Sequence, residues 1–299
     1  KLVFYVLPED KKENAISLLD EAENHLNFYA SYFGKYPWAK EKFGLVHAPY
    51  WGMEHQTINA YGNEYKKTKL GYDFILFHEM GHEWWGNYLS VSDWSDFWIH
   101  EGFDTYAEAL YIEDNFGKNA LKSFLKNRYK KNIKNQHPVV PQKNGTKLLS
   151  GNDVYYKGAY VLHTLRYLIG DKVFKSSIKE FLHMPKELPN NQTSTDEFIS
   201  LIEENTGLDL SWFFKIYLYN ASLPDLNIKK VLSGNKQFVD LWWENEGFKM
   251  PIEVAYKSFD GKRQRKISLS DVPFRIGIAA DSDLKIDPNG HILFNKIIK

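Results

Sequence analysis

The sequence contains no cysteine, no excess of charge of either sign and no long apolar run. Without cysteine there can be no disulfide, no thiolate nucleophile and no cysteine-ligated metal, so any metal must bind to His, Asp or Glu. The 38 basic and 38 acidic residues balance, which argues against nucleic acid or another polyanion as a partner. No stretch approaches the roughly 18 apolar residues of a membrane-spanning helix, so we expect no membrane span.

The composition and length are those of a folded protein with about two domains. Hydrophobic residues make up 43% and charged residues 25% of the 299 residues. The chain begins at Lys1 rather than Met and opens on an apolar run. We therefore expect residues 1–8 to be the end of a preceding domain or a linker of a longer protein. We expect a soluble protein, and the compartment stays open between bacterial cytoplasm, periplasm and secretion.

The spacing of apolar residues changes once along the chain. Through most of residues 11–219 it has the helical period, which predicts helices at residues 72–88, 101–116 and 118–132, among others. Residues 43–62 are the exception, because glycines and β-forming residues there predict short strands. Beyond Leu223, short alternating runs separated by turn signals predict strands at residues 238–243, 251–258, 264–269 and 274–279. We therefore predict an α+β protein with a mainly helical domain over residues 9–222 and a small all-β domain over residues 223–299.

The short segment from His78 to His82 has the residues of a metal-binding motif. His78 and His82 are four residues apart in a segment with a helical pattern, so both imidazoles project from one face and can bind one cation. Imidazole nitrogens suit Zn²⁺, and Glu79 can act as the general base without binding the metal. The alternative is a solvated helix that carries these residues by chance. Apolar neighbours such as Phe77 and Trp84 favour a buried metal site instead.

A catalytic zinc needs a third protein ligand and one open position. Eighteen residues separate His82 from Glu101, and the turn composition of residues 90–96 permits a helix–loop–helix that brings Glu101 against the first helix. Glu108, seven residues further, shares the face of Glu101 and can orient a ligand histidine, but an ordinary surface carboxylate explains it equally well. We interpret His100 as structural because Glu101 has the better spacing.

These residues resemble the signature of the M1 family of zinc aminopeptidases, the gluzincins that include aminopeptidase N and a leukotriene hydrolase. Two further segments are similar to motifs of that family. Residues 51–55, Trp-Gly-Met-Glu-His, match its exopeptidase motif Gly-x-Met-Glu-Asn, and residues 155–158, Tyr-Tyr-Lys-Gly, match Tyr-x-Lys-Gly. The resemblance runs over nearly the whole chain. It implies a thermolysin-like catalytic domain followed by a β-sandwich, with one Zn²⁺ per chain.

The resemblance also implies roles for individual residues of the catalytic centre. His78, His82 and Glu101 would bind the zinc ion, and Glu79 would be the general base. Tyr155, rather than its neighbour, matches the family tyrosine whose phenol stabilises the oxyanion of the tetrahedral intermediate. Without the Lys-Gly spacing, this residue would be read as one of 19 tyrosines packed in a helical core.

A second group of residues would bind the substrate. Glu54 matches the family glutamate that binds the free α-amine of a peptide, since a carboxylate beside a cationic amine selects unblocked N-termini. Gly52 and Met53 would offer backbone groups to an extended peptide, as an added strand does. The alternative is a turn glycine beside a surface glutamate.

The sequence departs from the family pattern in two ways. Trp51 stands where the motif has its first glycine and His55 where it has asparagine, which alters the backbone beside Glu54. The β-rich N-terminal domain of the family, which contributes to amine binding, has no counterpart in these 299 residues, nor has the helical C-terminal domain of many members. We therefore expect a fragment whose N-terminal domain is missing.

Three functions compete. The leading hypothesis is an aminopeptidase that acts on peptides with a free N-terminus. A zinc endopeptidase of the same fold is the rival if Trp51 and His55 disrupt amine binding. A scaffold module that holds a structural or vestigial zinc is the rival from another class. The presence of Glu79 and Tyr155 favours an enzyme, because a scaffold needs no general base.

Overall fold

Helices dominate the chain up to Tyr217 and strands dominate it from Asp225, in a computed structural model that describes residues 1–141, 151–186, 189–233, 236–258, 260–279, 282 and 284–298. The helices are α1 (Lys12–Phe33), α2 (Phe74–Gly81), α3 (Trp98–Phe124), α4 (Asp153–Ile169), α5 (Asp171–His183), α6 (Thr195–Thr206) and α7 (Ser211–Tyr217). Single turns of other helix types lie at Trp94–Asp96, Leu125–Lys130 and Pro189–Asn191. No helix in these described ranges has the length and apolarity needed to cross a bilayer.

The strands form small sheets, both among the helices and after the last of them. Before α7 they are β1 (Leu2–Tyr5), β2 (Phe43–His47), β3 (Gly52–Met53), β4 (Asn59–Tyr61), β5 (Ser90–Val91) and β6 (Gln192–Thr193). After α7 they are β7 (Asp225–Ser233), β8 (Lys236–Trp243), β9 (Ile252–Ser258), β10 (Gly261–Ile267), β11 (Phe274–Ile278), β12 (Lys285–Ile286) and β13 (Asn295–Ile298). The first sheet has the order β1-β2-β4-β3, which leaves β3 at its edge. The later strands form sheets of order β11-β8-β7-β13 and β10-β9-β12.

The predicted mixture of helices and strands is confirmed, with two differences in the helices. The helix predicted over residues 72–88 ends at Gly81, and a series of turns follows, in which Asn87 donates its N–H to the carbonyl of His82 and Gly86 adopts a φ of 134°. The helices predicted on either side of Gly117 form one element, α3, with a kink at this residue. Gly117 has a φ of 81°, which a glycine adopts without strain.

The alternation of the sequence does not predict strands β7, β12 and β13. Strand β7 pairs with β8 in an antiparallel register and with β13 in a parallel one. Its sequence, DLNIKKVLS, alternates poorly because two lysines interrupt the apolar positions. The pairing therefore depends on neighbours that come from other parts of the chain, and not on a local period.

Side chains of α4 fasten the segment that precedes β13. The hydroxyl of Tyr160 donates to the carbonyl of Gly290 at 2.7 Å, and that of Thr164 donates to the carbonyl of His291 at 3.0 Å. Nε2 of His163 lies 3.3 Å from Nδ1 of His291, so the two imidazoles can share one proton. His163 is 4% exposed.

The buried His163 predicts a loss of stability in acid. Burial lowers its pKa well below the ordinary value of 6.5, and the positive charges of His291 and Arg166 act in the same direction. The unfolded chain binds this proton at higher pH than the folded protein. The contribution of His163 to the free energy of unfolding is therefore complete above pH 6.5 and declines as pH falls below it. We expect the stability difference between wild type and His163→Gln to shrink between about pH 7.5 and about pH 5.5 in urea unfolding.

The experiment compares the unfolding free energies of wild type and variant at each pH because other groups titrate over the same pH range. Burial raises the pKa of Glu79, Glu83 and Glu108 to about 7, and these carboxyls favour the folded state in acid, in the opposite sense. Their effect cancels when the variant is compared with wild type at each pH. His137→Gln, at an exposed histidine, is the control and should leave the difference independent of pH. A constant difference for His163→Gln would contradict the prediction.

Candidate active site

Helix α2 presents two imidazoles on one face. It begins at Asp73, whose carboxylate accepts the N–H of Leu76 at 3.1 Å and so satisfies a free donor of the first turn. His78 and His82 are one turn apart, and their ring centroids are 4.8 Å apart. The side chain of His78 is 15% exposed and that of His82 is 1% exposed, so the pair opens to solvent on one side only.

Glu101, in the first turn of α3, completes a three-sided cradle. Its Oε2 lies 3.6 Å from Nε2 of His78 and 3.4 Å from Nε2 of His82. Ligand atoms on a tetrahedral zinc with bonds of 2.0–2.1 Å stand about 3.3–3.4 Å apart, close to both separations. Oε2 is buried and has no hydrogen-bond partner among the described residues. These three side chains therefore fit a Zn²⁺ ion.

The second nitrogen of each ring is held from behind. Nδ1 of His78 lies 2.6 Å from Oδ2 of Asp104, and Nδ1 of His82 lies 2.9 Å from the carbonyl of Trp85. Possible metal-ligand atoms of His78, His82 and Asp104 also lie within 4.8 Å of one another. Asp104 is on the Nδ1 side of His78, however, and one imidazole cannot bind the same ion through both of its nitrogens. With Nε2 facing Glu101, the contact at Nδ1 orients the ring of His78 instead.

The structure differs from the prediction for Glu108. This carboxylate accepts a hydrogen bond from the hydroxyl of Tyr72, and Asp104 occupies the position against His78 that was considered for Glu108. Both acids share a face with Glu101, but Asp104 is only three residues beyond it, whereas Glu108 is seven residues and about 10 Å further along the helix axis. The spacing of three was visible in the sequence and could have identified Asp104.

A glycine makes the contact of Asp104 with α2 possible. The hydroxyl of Tyr29 donates to Oδ1 of Asp104 at 3.0 Å, and both groups press against Gly81. A Cβ atom at Gly81 would overlap Oδ1 of Asp104 and the hydroxyl of Tyr29. The second variable position of the His-Glu-x-x-His motif is thus restricted to glycine by packing and not by helix geometry.

Glu79 faces the cradle from the side of strand β3. It is 7% exposed, and a Cβ atom on Gly52 would overlap its carboxylate, so the strand approaches this closely only with glycine there. Burial raises the pKa of Glu79 to about 7, while the charges of His78 and His82 act against this shift. A carboxyl with a pKa near neutrality can accept and return a proton at physiological pH.

Strand β3 brings Glu54 to the same site. Gly52 pairs with Tyr61 and Met53 with Ala60 on one side of β3, and the other side is the free edge of the sheet. Glu54 follows directly, and an oxygen of its carboxylate lies within 4.8 Å of a carboxylate oxygen of Glu79 and of a ring nitrogen of His82. Glu54 is half-buried. The site therefore has a free strand edge that ends at a carboxylate.

Tyr155 reaches the cradle from α4. Its hydroxyl donates to Oε1 of Glu101 at 3.0 Å. Helices α3 and α4 come this close because Gly102 and Gly158 face each other; a Cβ atom on either would lie 3.3 Å from backbone of the other. Lys157 points the opposite way and donates to the carbonyls of Asn220 and Ala221 at 2.9 and 2.8 Å.

All the residues singled out in the sequence, except Glu108, thus surround one cradle. Burial raises the pKa of Tyr155 and the negative charge of Glu101 raises it further, so the phenol stays protonated and can donate. The arrangement combines a cradle for a cation, a carboxyl with a near-neutral pKa, a phenol donor and a strand edge. These are the elements that hydrolysis of an amide by activated water requires.

The chain is similar to known peptidases over most of its length. The peptidase family M1 domain matches residues 18–217. Human endoplasmic reticulum aminopeptidase 1 is 29% identical over 297 residues, which are 91% of this chain and 31% of the relative. Tricorn protease-interacting factor F2 of Thermoplasma acidophilum is 25% identical over 272 residues, 82% of this chain and 34% of the relative.

A solved structure shows the same fold. Aminopeptidase A of Legionella pneumophila, crystallised in complex with aspartic acid, superposes with a TM-score of 0.75 and 19% identity. The match covers 99% of this chain but 36% of that protein. The chain thus spans about a third of the length of these relatives. Because the family pattern covers well over half of its residues, the chain belongs to peptidase family M1.

Proposed function

We propose that this protein is a zinc-dependent aminopeptidase that hydrolyses the N-terminal peptide bond of peptides. The observation that supports it most is the buried, unpartnered Oε2 of Glu101, at 3.6 and 3.4 Å from the Nε2 atoms of His78 and His82. Beside this cradle stand a carboxyl suited to proton transfer, Glu79, and a carboxylate suited to a cationic amine, Glu54.

Each residue takes one role in the proposed reaction. When bound by His78, His82 and Glu101, zinc would polarise the scissile carbonyl and acidify a water molecule. Glu79 takes the proton of the attacking water and passes it to the leaving amine. The hydroxyl of Tyr155 donates a hydrogen bond to the carbonyl oxygen of the substrate as negative charge develops there.

The substrate is expected to lie along strand β3. Its free amine pairs with Glu54, and its backbone adds to the open edge formed by Gly52 and Met53. Acetylation turns the cationic amine into a neutral amide and so removes this pairing. An acetylated peptide would therefore leave Glu54 without a cationic partner. We also propose that residues 9–222 form a thermolysin-like catalytic domain and residues 223–299 a β-sandwich domain, since helices end at Tyr217 and strands follow from Asp225.

Hydrolysis of matched short peptides with free and acetylated N-termini tests the function. The zinc-loaded protein is expected to cut only the free peptides, one residue at a time. Cleavage of both kinds would support a zinc endopeptidase instead. If neither is cut although one zinc per chain is bound, the chain is not an aminopeptidase by itself, and the scaffold hypothesis gains support.

Asp104→Asn is expected to weaken zinc binding about 10–100-fold. The carboxylate lies 2.6 Å from Nδ1 of His78 and orients the ring, and an amide loses the negative charge that favours this orientation. Competition with a chelator of known affinity measures the change. Glu108→Gln is the matched control: it alters a carboxyl on the same helix that contacts Tyr72, and should leave zinc affinity within a few-fold. Equal effects of the two variants would contradict the role given to Asp104.

A further inference from the structure

A cavity of about 630 Å³ lies at Phe74, one helical turn before His78. Its volume lies within the roughly 300–1,000 Å³ of small-ligand pockets. Phe74, one turn before His78, forms one wall and stacks on its ring, with centroids 5.6 Å apart and planes 19° apart. The other apolar walls come from three distant segments, namely Trp51, Leu70, Tyr72, Ala120 and Phe124, and polar residues, among them Glu108 and Arg128, line the rest.

The cavity and Glu54 lie at opposite ends of the site. Two spacings along the chain show this separation. Trp51 and Glu54 flank strand β3 and are three residues apart, about 10 Å for extended backbone, and Phe74 and His82 are eight residues apart along the helix axis of α2, about 12 Å. Trp51 and Phe74 both line the cavity. Glu54 and His82 come together at the other end, and Gly52 and Glu79 meet in between.

The positions of Glu54 and the cavity at opposite ends of the site determine which part of a bound peptide faces the cavity. A substrate whose amine pairs with Glu54 runs antiparallel to β3, with its first carbonyl near Glu79, and continues towards Trp51. The side chain next to the cavity therefore belongs to the second residue, on the leaving side of the scissile bond. This step rests on the proposed aminopeptidase function.

The walls indicate what that side chain is. Arg128 lies over the ring of Phe74, with its guanidinium carbon 4.6 Å from the centroid, and this cation–π contact holds the ring in place. Trp51 is 72% exposed and Leu70 is 38% exposed, so both have apolar surface left to bury. A large apolar side chain of a ligand that covers this surface removes it from water, which favours binding.

We propose that this cavity, formed by Trp51, Leu70, Phe74 and Phe124, selects peptides whose second residue has a large apolar or aromatic side chain. It sets specificity on the leaving side of the bond, in addition to the amine selection by Glu54. Glycine at the second position would leave the cavity unfilled.

Peptides of the form Ala-Xaa-Gly-Gly with a free amine test the proposal, with Xaa as Phe, Leu, Ala or Gly. The zinc-loaded protein is expected to show a kcat/KM at least about tenfold higher for Phe than for Gly. Equal rates across the series would overturn this proposal and leave the aminopeptidase function standing. No cleavage of any peptide would overturn the function itself, and this proposal with it.

Filling the cavity gives the second arm of the test. Ser123 is an exposed residue of α3 that lines the cavity, so Ser123→Phe places a ring there without burying new volume in the core. This variant is expected to reduce the Phe-to-Gly ratio of kcat/KM towards one. Ser200→Phe, at an exposed serine of α6, is the matched control and should keep the wild-type ratio. An unchanged ratio in Ser123→Phe would assign the selection to another surface and overturn the proposal.

Discussion

Replacing Glu79 by Gln is expected to lower kcat by about 10²–10⁴-fold while the protein keeps its zinc. Glutamine has nearly the same shape but cannot take the proton of the attacking water. The metal cradle consists of His78, His82 and Glu101, and Glu79 is not required for it, so zinc affinity should change little. Single-turnover kinetics together with metal analysis of the same preparation measure both quantities.

Glu83→Gln provides a matched control for this experiment. Glu83 lies four residues further on the same segment, is 0% exposed, and burial raises its pKa to about 7, as it does for Glu79. Its Oε1 accepts the N–H of Thr57 at 2.7 Å, so it serves the loop before β4 rather than the cradle. We expect Glu83→Gln to reduce stability and to keep kcat within a few-fold. Loss of activity in both variants, or retained activity in Glu79→Gln, would refute the assigned role.

The centre of the site was predictable because its spacings are local. Two histidines one turn apart, one on α2 and one at its C-cap, need only the helical period, and Glu101 lies in the first turn of the next long helix. Asp104 could have been found by the same reasoning, since it shares the face of Glu101 one turn on. Glu108 was harder to place, because whether an acid two turns away contacts a histidine depends on how α2 crosses α3.

The surroundings of the site were not predictable because they depend on contacts between distant segments. Trp51 looked like a departure from a motif, and only its proximity to Leu70 and Phe124 in the fold makes it a wall of a cavity. The facing glycines Gly102 and Gly158 likewise acquire a meaning only when α3 and α4 pack together. Strand β7 shows the same limit in the later part of the chain, since its pairing with β13 involves residues some 70 positions apart.

Tyr155→Phe is expected to lower kcat by about 10²–10³-fold with little change in KM or in zinc affinity. The hydroxyl donates to Oε1 of Glu101 at 3.0 Å in the free protein, and it can turn to the carbonyl oxygen of a substrate when charge develops there. An interaction that strengthens only in the transition state changes kcat and leaves substrate binding nearly as it was. Steady-state kinetics on a free-amine peptide separate the two parameters.

The adjacent tyrosine makes the experiment specific to the hydroxyl at this position. Tyr156 is next on α4, but it packs against Tyr129, with ring centroids 5.8 Å apart, and under the guanidinium of Arg128. Tyr156→Phe makes the same chemical change, the loss of a phenol oxygen, at the next residue of α4, and should leave kcat within a few-fold of wild type. If the two variants lose activity equally, the loss comes from the packing of α4 on α3. If neither loses activity, the cation cradle alone stabilises the oxyanion, because no other phenol reaches Glu101 among the described hydrogen bonds.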